Sequence, residues 1–260
     1  MDKQVDRGEL TPGTFYFACN ICGTPNFFDL SNLDREAKSC AGCNSNARWR
    51  AVVDALSHEL FGESVPLPDF PVRRDIRGIG LSDWPGYANL LREKFDYRNT
   101  FYHKEPRLDI ADIDSRLEDK ADFLIASDVF EHVAPPIAKA FSNARGLLKA
   151  GGIFLLTVPW GGGPWTREHY PRLNKFEIVE RDGRKILRNL RPDGVLEEHI
   201  DPRFHGGDGA VLEMRLFGKQ ELIENLKAAG FASIRVHEGP KFQIGVYWPG
   251  NQSVPVAARC

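Results

Sequence analysis

No apolar run in this chain approaches the ~20 residues that a membrane span requires, and the opening stretch MDKQVDRGEL has no apolar segment of the secretory kind. Both absences lead to the expectation of a cytoplasmic protein with no membrane partner. Charge of one sign is also missing. Lys plus Arg number 34 against 36 Asp plus Glu, a net of −2, which excludes the global basic field that drives non-specific nucleic-acid binding. Internal repeats and low-complexity tracts are absent. Cysteine is scarce, five in 260 residues, but four of the five are placed in two Cys-x-x-Cys pairs.

Those pairs, Cys19/Cys22 and Cys40/Cys43, have 17 residues between them (23–39), and Cys260 stands apart. Two such knuckles at this separation are the pattern of a four-cysteine zinc ribbon, each supplying two thiolates to a tetrahedral ion. Two disulfides or four free thiols are the alternatives, and no secretory segment supports the disulfides. TFYFAC reads as a strand entering the first knuckle. A helix is predicted over about 46–61, with Trp49, Val52, Val53, Leu56 and Leu60 at helical spacing and Gly62 as its C-cap. The expected organisation is residues 1–62 as ribbon plus helix and 63–260 as a second unit, joined by the Pro-rich SVPLPDFP.

From residue 72 strands alternate with helices. IRGIGL, NTFYH, ADFLIAS and GGIFLLTVPW read as strands, YANLLREKF and PPIAKAFSNARGLLK as helices. This rhythm predicts an α/β fold, a doubly wound and mostly parallel sheet whose ligands bind beyond the carboxyl ends of its strands. Asp128, Glu131 and His132, directly after ADFLIAS, fall on that edge. Between 160 and 217 the rhythm breaks into a substrate-cap insert, with a hairpin turning at Asp182-Gly183. A helix over about 219–229 and the strands ASIRVHE and FQIGVYW are expected to complete the sheet.

The ordered set GIGLSDW, LDI, DFLIASDVFEHV and LLKAGGIFLLTVPW resembles class I S-adenosylmethionine-dependent methyltransferases, in the branch whose fourth strand ends in a carboxylate followed by xxEHV. The resemblance covers residues 74–160, and more loosely 217–248. It implies a Rossmann-like methyltransferase fold with a zinc-ribbon module ahead of it, S-adenosylmethionine as cofactor, and a cofactor set of Gly78, Gly80, Ser82, Asp83, His103, Asp109, Ile110, Asp128 and Val129. Gly78 and Gly80 either let the backbone approach the cofactor or pack inside the strand. Where the family carries an acidic residue for the ribose, this chain has His103, with Glu105 two residues on. Asp109-Ile110 matches the adenine position.

Three roles are open for the cluster. His132 is a candidate general base, with Glu131 beside it. Asp128-x-x-Glu131-His132 is also similar to the divalent-metal site of quinone and small-RNA O-methyltransferases. The third role is structural, Glu131 and His132 capping a helix. His205, in the glycine-rich DPRFHGGDG, is a second catalytic candidate if its loop folds back over the sheet edge. The expected activity is methyl transfer to a hydroxyl of a small polar molecule or glycan precursor, the aromatic insert (Trp160, Trp165, Tyr170, Phe204) favouring a sugar or ring. Two other readings remain. One is an RNA methyltransferase gripping RNA through Arg35, Lys38, Arg48 and Arg50. The other is a binding module that kept the fold and lost the cofactor.

Overall fold

A computed structural model describes residues 14–260 apart from 30, 32–33, 114–119, 206–210, 249 and 251–252. The N-terminal ribbon is the antiparallel pair β1 (Thr14–Ala18) and β2 (Pro25–Asp29), from which Cys19 and Cys22 emerge. Helix α1 (Ala47–Phe61) follows the second knuckle. Asn46 caps it, its Oδ1 accepting the Trp49 N–H at 2.9 Å, and Gly62 ends it at φ 81°, a left-handed conformation that costs a residue with a Cβ.

The central sheet is built from β3 (Arg73–Leu81), β4 (Phe95–Thr100), β5 (Ala121–Ser127) and β6 (Leu148–Thr157), all parallel. Helix α2 (Pro85–Lys94) links β3 to β4, and α3 (Ala138–Gly146) links β5 to β6. The insert contains β7 (Arg167–Glu168), the three-stranded meander β8 (Lys175–Arg181), β9 (Arg184–Leu190) and β10 (Leu196–Ile200), then the short strands β11 (Phe204–His205), β12 (Val211–Leu212) and β13 (Arg215–Leu216). Helix α4 (Lys219–Ala228), β14 (Ser233–Val236) and β15 (Val256–Arg259) close the chain. The sheet order is β14-β15-β6-β5-β3-β4, and β15 runs antiparallel to both its neighbours.

Side-chain alternation along the strands divides the core into two layers. Phe123, Ile125, Ile153 and Leu155 face α1 and α2, while Leu124, Ala126, Phe154 and Leu156 face α3 and α4. The doubly wound α/β sheet is therefore present. The core is also continuous across residue 62. Phe17, Cys19, Ile21, Val52, Val53 and Leu56 share one apolar cluster with Phe95, Tyr97 and Phe123, so the helix after the ribbon is itself a layer of the sheet. Among the described residues no helix is long and apolar enough to cross a membrane.

Three elements differ from their sequence readings. The strand expected at NTFYH lies earlier, at FDYRNT, because its alternate residues Phe95, Tyr97 and Asn99 are the buried ones. FQIGVYW is no strand: residues 242–244 form a single 3-10 turn, and the final strand is VAAR. No helix starts at Glu131. Residues 130–132 make one 3-10 turn, and α3 begins at Ala138. The hairpin at Asp182-Gly183 is as read, both residues having positive φ (53° and 71°) as a type I′ turn demands.

Candidate functional site

The sheet reverses its winding between β3 and β5, since β4 lies on one side of β3 and β5 on the other. In open α/β sheets the carboxyl end of such a switch point is where ligands bind. Two loops meet there, residues 82–84 after β3 and 128–133 after β5.

Asp128 adopts φ 54°, a left-handed conformation that Asp tolerates better than most residues. Its carboxylate is fully engaged by the N-terminal module. Arg35 donates Nη1 to Oδ2 at 2.7 Å and Nη2 to Oδ1 at 2.8 Å. Arg48 Nε lies 3.2 Å from Oδ2, and Arg48 Nη1 donates to Ser127 Oγ at 2.7 Å. Thr157 Oγ1 donates to Asp128 Oδ1 at 2.7 Å. Glu36 joins the two arginines, accepting from Arg35 Nη1 at 2.6 Å and Arg48 Nε at 2.7 Å. Burial alone pushes the Asp128 carboxyl up, but Arg35 and Arg48 outweigh it and hold the group well below the usual carboxylate range. With both oxygens taken by guanidinium groups, Asp128 in this arrangement is not placed to ligate a divalent ion.

Glu131 is fully buried, and neither carboxylate oxygen has a hydrogen-bond partner among the described residues. Burial, and next the Asp128 charge, raise its pKa well above the ordinary value. His132 Nε2 lies 3.8 Å from Glu131 Oε1, and His132 Nδ1 is 3.0 Å from the Leu212 carbonyl. The turn is clamped from the insert. The Met214 N–H donates to the Glu131 carbonyl at 2.7 Å, and buried Arg215 donates Nη1 to the carbonyls of Phe130 (2.9 Å) and Val133 (2.6 Å) and Nε to Glu168 Oε1 (2.6 Å). This clamp replaces the expected helix cap.

His205 is in β11, where it pairs with Val211 while Phe204 pairs with Leu212, whose carbonyl meets His132. The backbone of β11 and β12 thus lies beside His132. Gly206 and Gly207, on which that loop reading leaned, lie outside the described residues.

After β3, Ser82 is exposed at φ 56° and Asp83 is buried. Tyr97 donates its hydroxyl to Asp83 Oδ2, and the Asp83 backbone N–H donates to Asn99 Oδ1 at 2.9 Å. Burial raises the Asp83 carboxyl to about 7, with the Tyr97 hydrogen bond opposing the rise. A Cβ on Gly80 would strike Tyr97 and Asp83, and one on Gly78 would strike the Phe123 ring. Both glycines are therefore required by packing. Replacing Gly80 by a branched residue would cost stability directly, contrary to a role confined to the ligand side. His103 and Glu105 are exposed, and Asp109 turns its Oδ1 onto the Ala111 N–H at 2.9 Å beside buried Ile110. Val129, half-buried, packs on the α3–α4 core.

The four-cysteine cluster is intact. All four Sγ atoms lie within 4.8 Å of one another, with Cys19–Cys43 at 3.8 Å and Cys22–Cys40 at 3.6 Å. Zinc–sulfur bonds of about 2.3 Å in a tetrahedron place sulfurs about 3.8 Å apart, so the donor set fits zinc. It is the one group of three or more potential ligands found among the described residues. Three of the four cations offered as an RNA grip are otherwise employed, and Lys38 is exposed. Arg35 and Arg48 pair with Asp128, and fully buried Arg50 donates to Ser45, Ser39 and the Gly245 carbonyl.

Sequence reasoning missed Arg215 as a site residue, and it named Arg35 and Arg48 only as an RNA grip, not as partners of Asp128. Arg215 left a signal, a lone cation in VLEMRLF. Arg35 left none, because its partner is 93 residues away.

No family model matches the chain, and no curated protein matches it. Among solved structures, a Burkholderia thailandensis 1,6-didemethyltoxoflavin-N1-methyltransferase is similar at 16% identity, covering 82% of this chain and 77% of that one, with TM-score 0.45. CalS10, an amino pentose methyltransferase from Micromonospora echinaspora, is similar at 14% identity over 83% and 92%, TM-score 0.44. The sugar N-methyltransferase KedS8 from Streptoalloteichus sp ATCC 53650 is similar at 13% identity over 87% of each chain, TM-score 0.44. These are distant likenesses.

Proposed function

We propose that the protein is an S-adenosylmethionine-dependent methyltransferase acting on a hydroxyl of a small polar molecule or sugar precursor. The observation that carries this reading is the placement of the resemblance's motifs: GIGLSD and SDVFEHV meet at the carboxyl end of the β3/β5 switch point.

The residues present suit the cofactor unevenly. Exposed Ser82, the Asp109-Ile110 turn, His103 and Val129 supply polar and apolar contact surface at the edge. Gly78, Gly80 and Asp83 shape the loop from behind. Bound there, the cofactor would supply an electrophilic methyl group on a sulfonium, and the protein's task is alignment and removal of the acceptor's proton. His132 is the base in this reading. Its Nδ1 is set against a backbone carbonyl and its Nε2 is turned toward Glu131. Burial disfavours the charged form of Glu131 beside it. His205 approaches on the neighbouring ribbon.

The test is calorimetry with S-adenosylhomocysteine, followed by transfer of labelled methyl groups to a panel of hydroxyl and amino sugars. Binding in the micromolar range with label on a hydroxyl supports the reading. Label on amines alone would replace the hydroxyl by an amine, and no heat at millimolar ligand would favour a fold that has lost its cofactor.

A further inference from the structure

The four-cysteine module and the strand-end carboxylate are joined by a short path of polar contacts. The Cys40 and Ser39 N–H groups both reach the Ser45 carbonyl (3.2 and 3.0 Å), and Asn44 N–H donates to the Cys40 carbonyl at 2.9 Å, so the second knuckle runs directly into the start of α1. Asn46 at that start donates Nδ2 to Glu36 at 2.8 Å, and the Arg48 N–H donates to the Arg35 carbonyl at 3.2 Å. Arg35 then spans to Asp128 with two hydrogen bonds and to the Ser253 carbonyl at 3.2 Å with its Nε. A second contact runs beside the first. Trp49 of α1 stacks on Trp84 in the loop after β3, centroids 4.1 Å apart and planes 2° from parallel. The module thus touches both loops of the switch point, one through a forked ion pair and one through an indole stack.

We infer that Arg35 is a positioning residue that couples the metal module to the cofactor edge, holding Asp128 and the 128–133 turn in place only while the cysteine cluster is assembled. The inference rests on the methyltransferase reading for its choice of ligand. The chemistry is specific to arginine. Asp128 presents two oxygens edge-on, and a planar guanidinium fills both at once where an ammonium meets one. Asp128 is 5% exposed as a side chain, so without Arg35 a buried carboxylate would face Arg48 and Thr157 alone. The backbone after β5, already left-handed at Asp128, would then be held from the insert alone, by Met214 and Arg215.

The experiment uses the full chain, zinc-loaded, with S-adenosylhomocysteine as the calorimetric probe and a chelator to strip the metal. In the wild type, chelation should weaken binding about fivefold or more, the usual scale of coupling between sites. Zinc-loaded Arg35→Gln should be weakened while retaining its metal, and chelation should then add a smaller loss than it causes in the wild type. An Arg35→Gln variant that binds as the wild type does, or that loses as much on chelation, overturns the coupling. The Arg35→Gln/Asp128→Asn pair separates positioning from simple stability. Removing the stranded carboxylate should restore the melting temperature but not the affinity, and recovery of both would reduce Arg35 to a structural role. Arg35→Lys, with one prong in place of two, should fall between wild type and Arg35→Gln if the latter folds poorly. Should the wild type show no binding, the methyltransferase reading fails and melting decides the coupling. A larger chelation-induced drop in wild type than in Arg35→Gln sustains it, and equal drops overturn it.

Discussion

The same ion-pair chemistry appears in two regions with opposite consequences. On the β8–β9–β10 meander, Arg188 pairs with Glu177 (2.8 Å) and Glu198 (3.3 Å), and Arg181 with Glu198 (3.2 Å), in side chains 33–60% exposed. At the switch point, Arg35 and Arg48, each 13% exposed, enclose an Asp128 that is 5% exposed. Water screens the first set, so each pair contributes about 0–1 kcal/mol. Asp128 has lost its water, so removing one partner leaves a buried charge short of compensation, at up to about 3–5 kcal/mol. Burial decides which pairs the fold depends on.

The largest break in that comparison comes from the metal. Cys40→Ser should release zinc, measured by metal analysis, and lower the melting temperature of the whole chain, because structural zinc sites contribute on the order of 10 kcal/mol to folding. Because α1 packs in one apolar cluster with the sheet, a single lowered transition is the outcome the shared core demands. Arg215→Leu is next. It empties two carbonyls of the 130–133 turn and unpairs Glu168, and should cost about 3–5 kcal/mol in urea denaturation.

Asp83 gives a pH test. Its carboxyl is raised from 3.8 to about 7, so the folded state holds a proton that the unfolded chain releases. Its contribution is fully present below about pH 4 and is lost as pH rises toward 7, an upper bound of about 4 kcal/mol. Asp83→Asn should flatten that part of the stability–pH curve, and an unchanged slope would show that Asp83 is not the group responsible. The smallest effect belongs to the surface ladder. Arg188→Ala should change stability by less than about 1 kcal/mol, and less still at high salt.

Much of the sheet was legible because its signals are local. ADFLIAS is apolar on both faces and is a central parallel strand, and Asp182-Gly183 carries its turn in two residues. The cysteine spacing likewise specified the cluster. What escaped was non-local. FQIGVYW has the stronger β pattern, yet VAAR takes the strand position, since small residues after Pro255 fit between β6 and β14. The chemistry of the edge depended on Arg35, in the charged run LDREAK, and no periodicity announces a partner 93 residues on. Gly78 and Gly80 looked like ligand glycines because a strand-end glycine reads the same whether a cofactor or a Phe123 ring lies over it.

The position of β15 also bears on the order in which the molecule can be assembled. It is the last strand in the chain, yet it lies between β6 and β14 and is the strand that joins them. During synthesis β3, β4, β5 and β6 can pair as they emerge, whereas β14 has no neighbour until VAAR follows it from the ribosome. Until then β6 shows an open hydrogen-bonding edge, the feature by which nascent chains pair with one another. A ribosome stalled after residue 250 would hold a half-sheet with that edge uncovered, and a chaperone, or a second nascent copy, is what would meet it.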